Sequence, residues 1–267
     1  MIRSRAFAVG AFLLAAAGTA RAQEASPPAP IGQWSEGPAR PFLAGRVDAG
    51  LYLRAIGAAG WGKPHWMWGG AQAQAITSYQ FGAVAGGVRL NLLAVDVEVD
   101  LRRTRSYRHR FLDPVASHRS SGLTARGLGL QDYGSLDVDL SGPVPTPGGL
   151  AFWEVMWVSV LDAPAGCRVY EEWNHVVQGR DSVTFKLGWL ASLFGTRLRV
   201  GPVGEAIALP GRGAAVWRAG LAGTWRITPR LELVGIAAIV VDSPDRLALL
   251  DGMDGSLALR GTWATGP

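Results

Sequence analysis

The stretch Val95-Asp96-Val97-Glu98-Val99-Asp100-Leu101-Arg102 puts three valines and a leucine on odd positions, and three acids and an arginine on even ones. Successive side chains of a β-strand point to opposite faces, so this stretch predicts a strand with one apolar and one ionised face. The pattern recurs. Val47, Ala49, Leu51, Leu53 and Ala55 alternate with Asp48, Gly50, Tyr52 and Arg54, and Leu136, Val138 and Leu140 with Asp137 and Asp139. Further along, Val183, Phe185, Leu187 and Trp189 alternate with Thr184, Lys186 and Gly188. Trp217, Ala219, Leu221 and Trp225 alternate with Arg218, Thr224 and Arg226, and Leu257, Leu259 and Trp263 with Ser256, Arg260 and Thr262. No stretch after residue 22 has helical periodicity. Residues 64–88 hold no Asp, Glu, Lys or Arg, yet Gln72, Gln74, Ser78, Gln80 and five glycines make them a poor membrane helix. The longest clean apolar run elsewhere, Leu233 to Val241, is about half the ~20 residues a spanning helix requires.

The chain has 267 residues, 48% of them apolar and 18% charged, which excludes disorder and predicts one domain with a possible tail. A soluble domain carries about 25% charged residues. Here charge is scarce, and only Lys63 and Lys186 among 26 basic residues are lysine, so the surface is not built to face water all round. Arg3 and Arg5, the uncharged run Ala6 to Ala17, and Ala20-Arg21-Ala22 predict a cleaved secretory signal over residues 1–22. Its removal lowers the formal net charge from +5 to +2, so the basic balance makes no case for a nucleic-acid partner. Cys167 is alone, which excludes an internal disulfide, and it is far from the cleavage site where a lipid anchor would attach. Residues 23–45, with Pro27-Pro28-Ala29-Pro30, predict an irregular lead-in, leaving 46–267 for the folded domain.

Alternation fits a soluble sandwich or an apolar-lined barrel as well as a wall facing lipid. Two features favour lipid. The apolar faces carry tryptophan near strand ends, at Trp217, Trp225 and Trp263, where interfacial aromatic girdles sit. The connections are also of two kinds, tight turns alternating with longer polar loops. Ten strands satisfy an even count with both termini on one side: 46–56, 80–91, 95–106, 131–141, 150–161, 182–191, 195–208, 214–227, 230–241 and 255–264. The long connections 57–79, 107–130, 162–181 and 242–254 then share one end, and Thr228-Pro229 and Gly142 to Gly149 turn at the other. Admitting 66–77 and 167–176 to the wall raises the number to twelve.

The signal, the turn Trp225-Arg226-Ile227-Thr228-Pro229-Arg230-Leu231-Glu232-Leu233 and the final strand Ser256 to Trp263 resemble bacterial outer-membrane β-barrel proteins as a class. The resemblance implies an all-β, closed antiparallel transmembrane barrel, exported to the outer membrane, with outer-membrane lipid and the assembly machinery as partners. Such barrels usually end on an aromatic residue, whereas Trp263 is followed by Ala264-Thr265-Gly266-Pro267.

On these faces Asp96, Glu98, Asp100, Asp137 and Asp139 form one lumenal bank, and Lys186, Arg197, Arg199, Arg218, Arg226 and Arg260 the other. Either they close as a ladder of ion pairs in a filled interior, or they line a narrow porin-like channel with a transverse field. Arg102, Arg103, Arg105, Arg108 and Arg110 form a second cluster whose guanidinium forks match the phosphates of lipopolysaccharide. Catalytic signals are weak, no metal or cofactor motif is present, and the chain is not expected to be an enzyme. The alternatives are a rim hydrolase using His109 and His118 with Asp113, Ser117, Ser120 and Ser121, or a soluble periplasmic barrel around an apolar ligand. His65 and His175 stand apart from these. The leading expectation is an outer-membrane barrel serving as a structural protein or narrow passive channel, with 57–79 and 107–130 as variable surface loops.

Overall fold

The computed structural model describes residues 37–125, 129–195 and 197–265. The signal over 1–22 and most of the lead-in lie outside the described residues. Twelve strands close into one antiparallel barrel: β1 Arg40–Gly50, β2 Tyr52–Lys63, β3 Met67–Ser78, β4 Phe81–Leu92, β5 Asp96–Ser106, β6 Asp132–Thr146, β7 Gly149–Val160, β10 Asp181–Leu193, β11 Leu198–Leu209, β12 Ala214–Thr228, β13 Leu231–Asp242 and β14 Asp254–Ala264. Each pairs with its sequence neighbour in the wall, and β14 returns to β1, with Asp48 opposite Arg260. A separate two-stranded sheet joins β8 Val169–Glu171 to β9 Val176–Gln178. Closure leaves no wall strand with an unpaired edge, the condition for a sheet to stand in hydrocarbon.

The wall has twelve strands, the upper end of the expected eight to twelve, and the two beyond the ten-strand division come near the beginning. Residues 46–56 are not one strand. The chain reverses at Leu51, so that Asp48 pairs with Arg54 and Ala49 with Leu53. Paired numbers sum to an even value, so odd residues face one way before and after the reversal. The alternation therefore runs through the turn unbroken, which is why the sequence hides it. Residues 57–79 consequently form no loop: they complete β2, turn at residues 64–66 and build β3. Residues 40–45, expected in the lead-in, are the first half of β1. Residues 167–176 contribute the small sheet rather than a wall strand. The Gly142 to Gly149 link is mostly strand as well. β6 continues to Thr146 beyond its last β5 partner, and Pro143 and Pro145 sit in that overhang, where a missing N–H costs no ladder bond to β5.

With twelve strands the connections at 107–131, 161–180 and 243–253 share one end with the reversals at 51, 79–80 and 210–213. The opposite end carries only short turns, where His65 (φ 58°) and Gly148 (φ 74°) take left-handed conformations. The apolar faces point outward: Leu53, Val84, Leu101, Leu187 and Leu221 are exposed, as are Trp217, Trp225 and Trp263. The ionised faces point inward. This orientation is opposite to that of an apolar-lined soluble barrel. At the long-loop end the connections pack on one another. Leu112, Leu123, Tyr170 and Val177 form a small core with Leu247, and Leu112 and Arg168 exchange backbone hydrogen bonds of 2.9 and 2.8 Å.

Candidate functional site

The lumen is organised by the hairpin Val169–Gln178, which folds inward and meets the wall on several sides. Glu171, at the end of β8, is fully buried and pairs with Arg102 of β5 at 2.9 Å, while Arg102 also holds Asp137 of β6 at 2.6 Å. The Tyr133 hydroxyl donates to Glu171 Oε1 (3.2 Å). On the far side, Arg218 of β12 donates to the backbone oxygens of Asn174 (2.7 Å) and His175 (3.0 Å) and to Glu205 of β11 (2.8 Å). Arg54 of β2 lies 4.9 Å over the Trp173 ring. A second lock joins His109 Nδ1 to Glu172 Oε1 (2.8 Å), both side chains buried. Burial pushes the Glu172 carboxyl up, against the opposing pull of His109, and burial together with Arg218 holds the His175 imidazole down. The hairpin is thus a plug at the long-loop end, tied by a buried ion pair to β5 and by guanidinium-to-carbonyl hydrogen bonds to β12.

Below the plug, the expected acidic bank is present. Asp96, Glu98 and Asp100 on β5 face the lumen beside Asp137 and Asp139 on β6, with Glu98 opposite Asp139 and Asp100 opposite Asp137. Like charges directly opposite destabilise a sheet. Three contacts offset this: Arg102 on Asp137, Gln74 donating to Asp100 (3.0 Å), and Arg89 of β4 within 3.6 Å of Glu98.

The expected basic bank is only partly right. Lys186 of β10 reaches Asp254 of β14 at 3.1 Å, crossing the interior, and lies within 3.6 Å of Glu205. Arg260 donates to Asp48 at 2.8 Å. Arg199 and Arg226 sit on the inward positions of β11 and β12 near the short-turn end, Arg226 opposite Glu232. Arg197 is corrected: it lies in the turn before β11 and is exposed, because the strand starts one residue too late to aim it inward. Basic groups that the sequence reading passed over, Arg46, Arg54 and Arg89, lie on β1, β2 and β4. Asp48 and Arg54 already stood on the polar face of residues 47–55, so the signal was there. Glu171, Glu172 and Trp173 had none, because nothing local marks a loop that folds inward.

The arginine cluster divides. Arg102 is corrected from a lipid contact to a buried lumenal ion pair, since its even position puts it on the inward face of β5. Arg103 and Arg105 take the outward, exposed positions, Arg103 being paired with Asp132 (2.6 Å) and Asp162. Arg108 lies 5.8 Å over the Tyr79 ring, and Arg110 is half-buried, its backbone N–H donating to Leu123 (3.1 Å).

The rim residues do not assemble as a triad. His109 takes Glu172, not Asp113, as its carboxylate. The His118 backbone N–H donates to Asp245 (2.8 Å) while its Nε2 has no hydrogen bond. The Ser120 hydroxyl accepts from Ala248 (2.6 Å), and Asp113, Ser117 and Ser121 are exposed. His65 Nε2 lies 2.8 Å from the Trp263 carbonyl, closing the short-turn end of β2 and β3 against β14.

No family model and no curated protein matches the chain. Among solved structures it is similar to the Acinetobacter baumannii outer membrane protein Omp33, at 10% identity over 85% of this chain and 98% of that one, with a TM-score of 0.39. It is also similar to the β domain of the Bordetella autotransporter BrkA, at 9% identity over 86% of this chain and 100% of that one, with a TM-score of 0.35.

Proposed function

We propose that the protein is an outer-membrane β-barrel acting as a narrow passive channel, held closed in this conformation by its own hairpin, Val169–Gln178. The observation that carries this reading is a charge-lined lumen under an apolar exterior, plugged at one end by an element bound through side chains rather than built into the wall. A purely structural barrel has no need of lumenal charges left accessible to water. Here Arg89, Glu98, Lys186 and Arg260 all keep part of their side-chain surface open below the plug. Long loops facing outward and short turns facing the periplasm set the orientation, with a signal over residues 1–22 supplying export and the assembly machinery supplying insertion. In the same orientation Arg103, Arg105 and Arg108 stand at the outer rim, where lipopolysaccharide phosphates would meet them.

The test is planar-bilayer recording of the purified protein, after showing that it fractionates with the outer membrane. The comparison is a variant in which residues 169–178 are replaced by a short Gly-Ser linker. The wild type is expected to be silent or to open briefly, and the variant to give discrete, reproducible steps. A folded, heat-modifiable variant that stays silent would make the barrel structural. Recovery of the wild type in the soluble periplasmic fraction would overturn the membrane reading.

A further inference from the structure

The basic residues of β1, β2 and β14 are not balanced as those around the plug are. Asp48 is fully buried and stands directly opposite Arg260 on one side and Arg54 on the other. Arg260 donates to it at 2.8 Å, and Arg46, two residues along the same face, approaches it at 3.4 Å. Three guanidinium groups therefore surround one carboxylate. Arg54 spends its Nε donor on the neutral Gln74 (2.8 Å) and has no ion pair among the described residues. Arg46 Nε is buried and meets Asp48 Oδ2 in that 3.4 Å approach without the geometry of a hydrogen bond. A buried donor short of a hydrogen bond is costly, and an excess of cations over carboxylates more so.

Arg46 also lines a small chamber in the short-turn half of the lumen, together with Arg89, His65, Trp68 and Gln72. Its walls are otherwise small or apolar, from Ala44, Gly45, Ile56 and Ala58, and its cavity volume is about 30 Å³. Arg89 is tied to Asp96 at 2.9 Å, which fixes the direction of its guanidinium. The chamber is polar at one side and apolar at the other, with Arg46 on its polar side.

We infer that this chamber is a binding site for a small oxyanion of the phosphate or carboxylate class, held by Arg46 with Arg54 and Arg260 as the surrounding positive field. Guanidinium forks present paired N–H donors at the spacing of two oxyanion oxygens, which a halide cannot match. An oxyanion would offset the excess of guanidinium over carboxylate around Asp48. The inference deepens the channel reading by naming the solute class, and it places the site on the periplasmic side of the plug.

Binding is measured on detergent-purified, full-length protein by isothermal titration calorimetry with inorganic phosphate, and in a second arm with acetate, at constant ionic strength. Whichever oxyanion class is bound, the expected result is saturable binding at one site per chain. Arg46→Gln is expected to weaken it by on the order of tenfold to a hundredfold, the loss of a charged hydrogen bond. Arg46→Lys, which keeps the charge but not the fork, should fall between. Arg197→Gln, in the exposed turn before β11 and outside the lumen, should leave binding unchanged. Because Arg46→Gln can disturb the fold, heat-modifiable migration of each variant is checked, and Arg54→Gln provides an independent loss of the same field. Conductance without saturable oxyanion binding would overturn this inference and leave the channel standing. Binding in a barrel that stays silent even with residues 169–178 replaced would do the reverse. Equal binding by wild type and Arg46→Gln would also overturn it.

Discussion

Replacing Arg102 with methionine should loosen the plug without unfolding the wall. Arg102 holds two carboxylates, Glu171 of the hairpin at 2.9 Å and Asp137 of the wall at 2.6 Å, and its own side chain is 4% exposed. Methionine fills much of the volume but leaves Glu171 as a buried charge with no cation beside it. Removing one member of a buried pair costs about 3–5 kcal/mol. The lower figure applies, because Glu171 keeps the Tyr133 hydroxyl at 3.2 Å and the Asn174 N–H at 2.6 Å, and Asp137 retains some exposure to water. Opening the hairpin rehydrates Glu171, so the cost falls on the closed state, and about 3 kcal/mol is roughly 150-fold in the opening equilibrium. Amide hydrogen exchange read by mass spectrometry on peptides covering 169–178 reports that equilibrium when reclosing is fast. Exchange there should accelerate by about two orders of magnitude, with peptides from β13 unchanged. Adding Glu171→Gln should restore part of the protection, since the orphaned charge is gone and the two substitutions share one interaction. Unchanged exchange in a folded Arg102→Met barrel would show that Arg218 and the His109–Glu172 contact suffice to hold the hairpin, and would refute the assignment of Arg102 as its main tie.

The plug should also respond to pH, through His175 and Glu172 in opposite senses. A folded-state imidazole held down, as at His175, contributes stability that is present above the ordinary imidazole value of 6.5 and is lost as pH drops below it. The raised Glu172 carboxyl acts oppositely, adding stability to the closed plug as it takes up its proton. With exchange corrected for its intrinsic pH dependence, His175→Gln should therefore leave the Glu172 contribution alone and make the hairpin better protected than wild type at mildly acid pH; a pH profile identical in wild type and His175→Gln would dismiss the idea. At the rim, Arg105→Glu with Arg108→Glu should reduce the lipopolysaccharide that copurifies with the barrel, whereas Arg102→Met should not. Equal lipid retention in all three proteins, measured by phosphate content, would remove the rim arginines as the contact.

Much of the fold was legible because a strand's two faces are a local property. Val95 to Arg102 states its faces without reference to any other segment, and so does Leu136 to Leu140, and both face as their alternation said. The tryptophans at 217, 225 and 263 pointed the apolar side outward for the same reason: a girdle residue is marked by its own chemistry and by its place at a strand end. The strand count was not legible. The reversal at Leu51 preserves the phase of alternation, so one strand and two strands write the same pattern between Val47 and Ala55, and only the pairing of Asp48 with Arg54 separates them.

The site divides along the same line. The sequence by itself determined that this chain alternates, that its ionised faces cluster, and that Asp96, Glu98, Asp100, Asp137 and Asp139 would form one bank, because these follow from residue spacing alone. Tertiary structure decided what those charges meet. Arg102 became the tie of a plug rather than a lipid contact because barrel closure put its face inward and brought Glu171 to it, across 69 positions of sequence. The guanidinium excess around Asp48 likewise depends on β14 returning to β1, a contact between residues 48 and 260 that no local pattern encodes. Ion pairing is a property of distance in space, and in a closed barrel that distance is set by register and closure, both fixed only when the last strand meets the first.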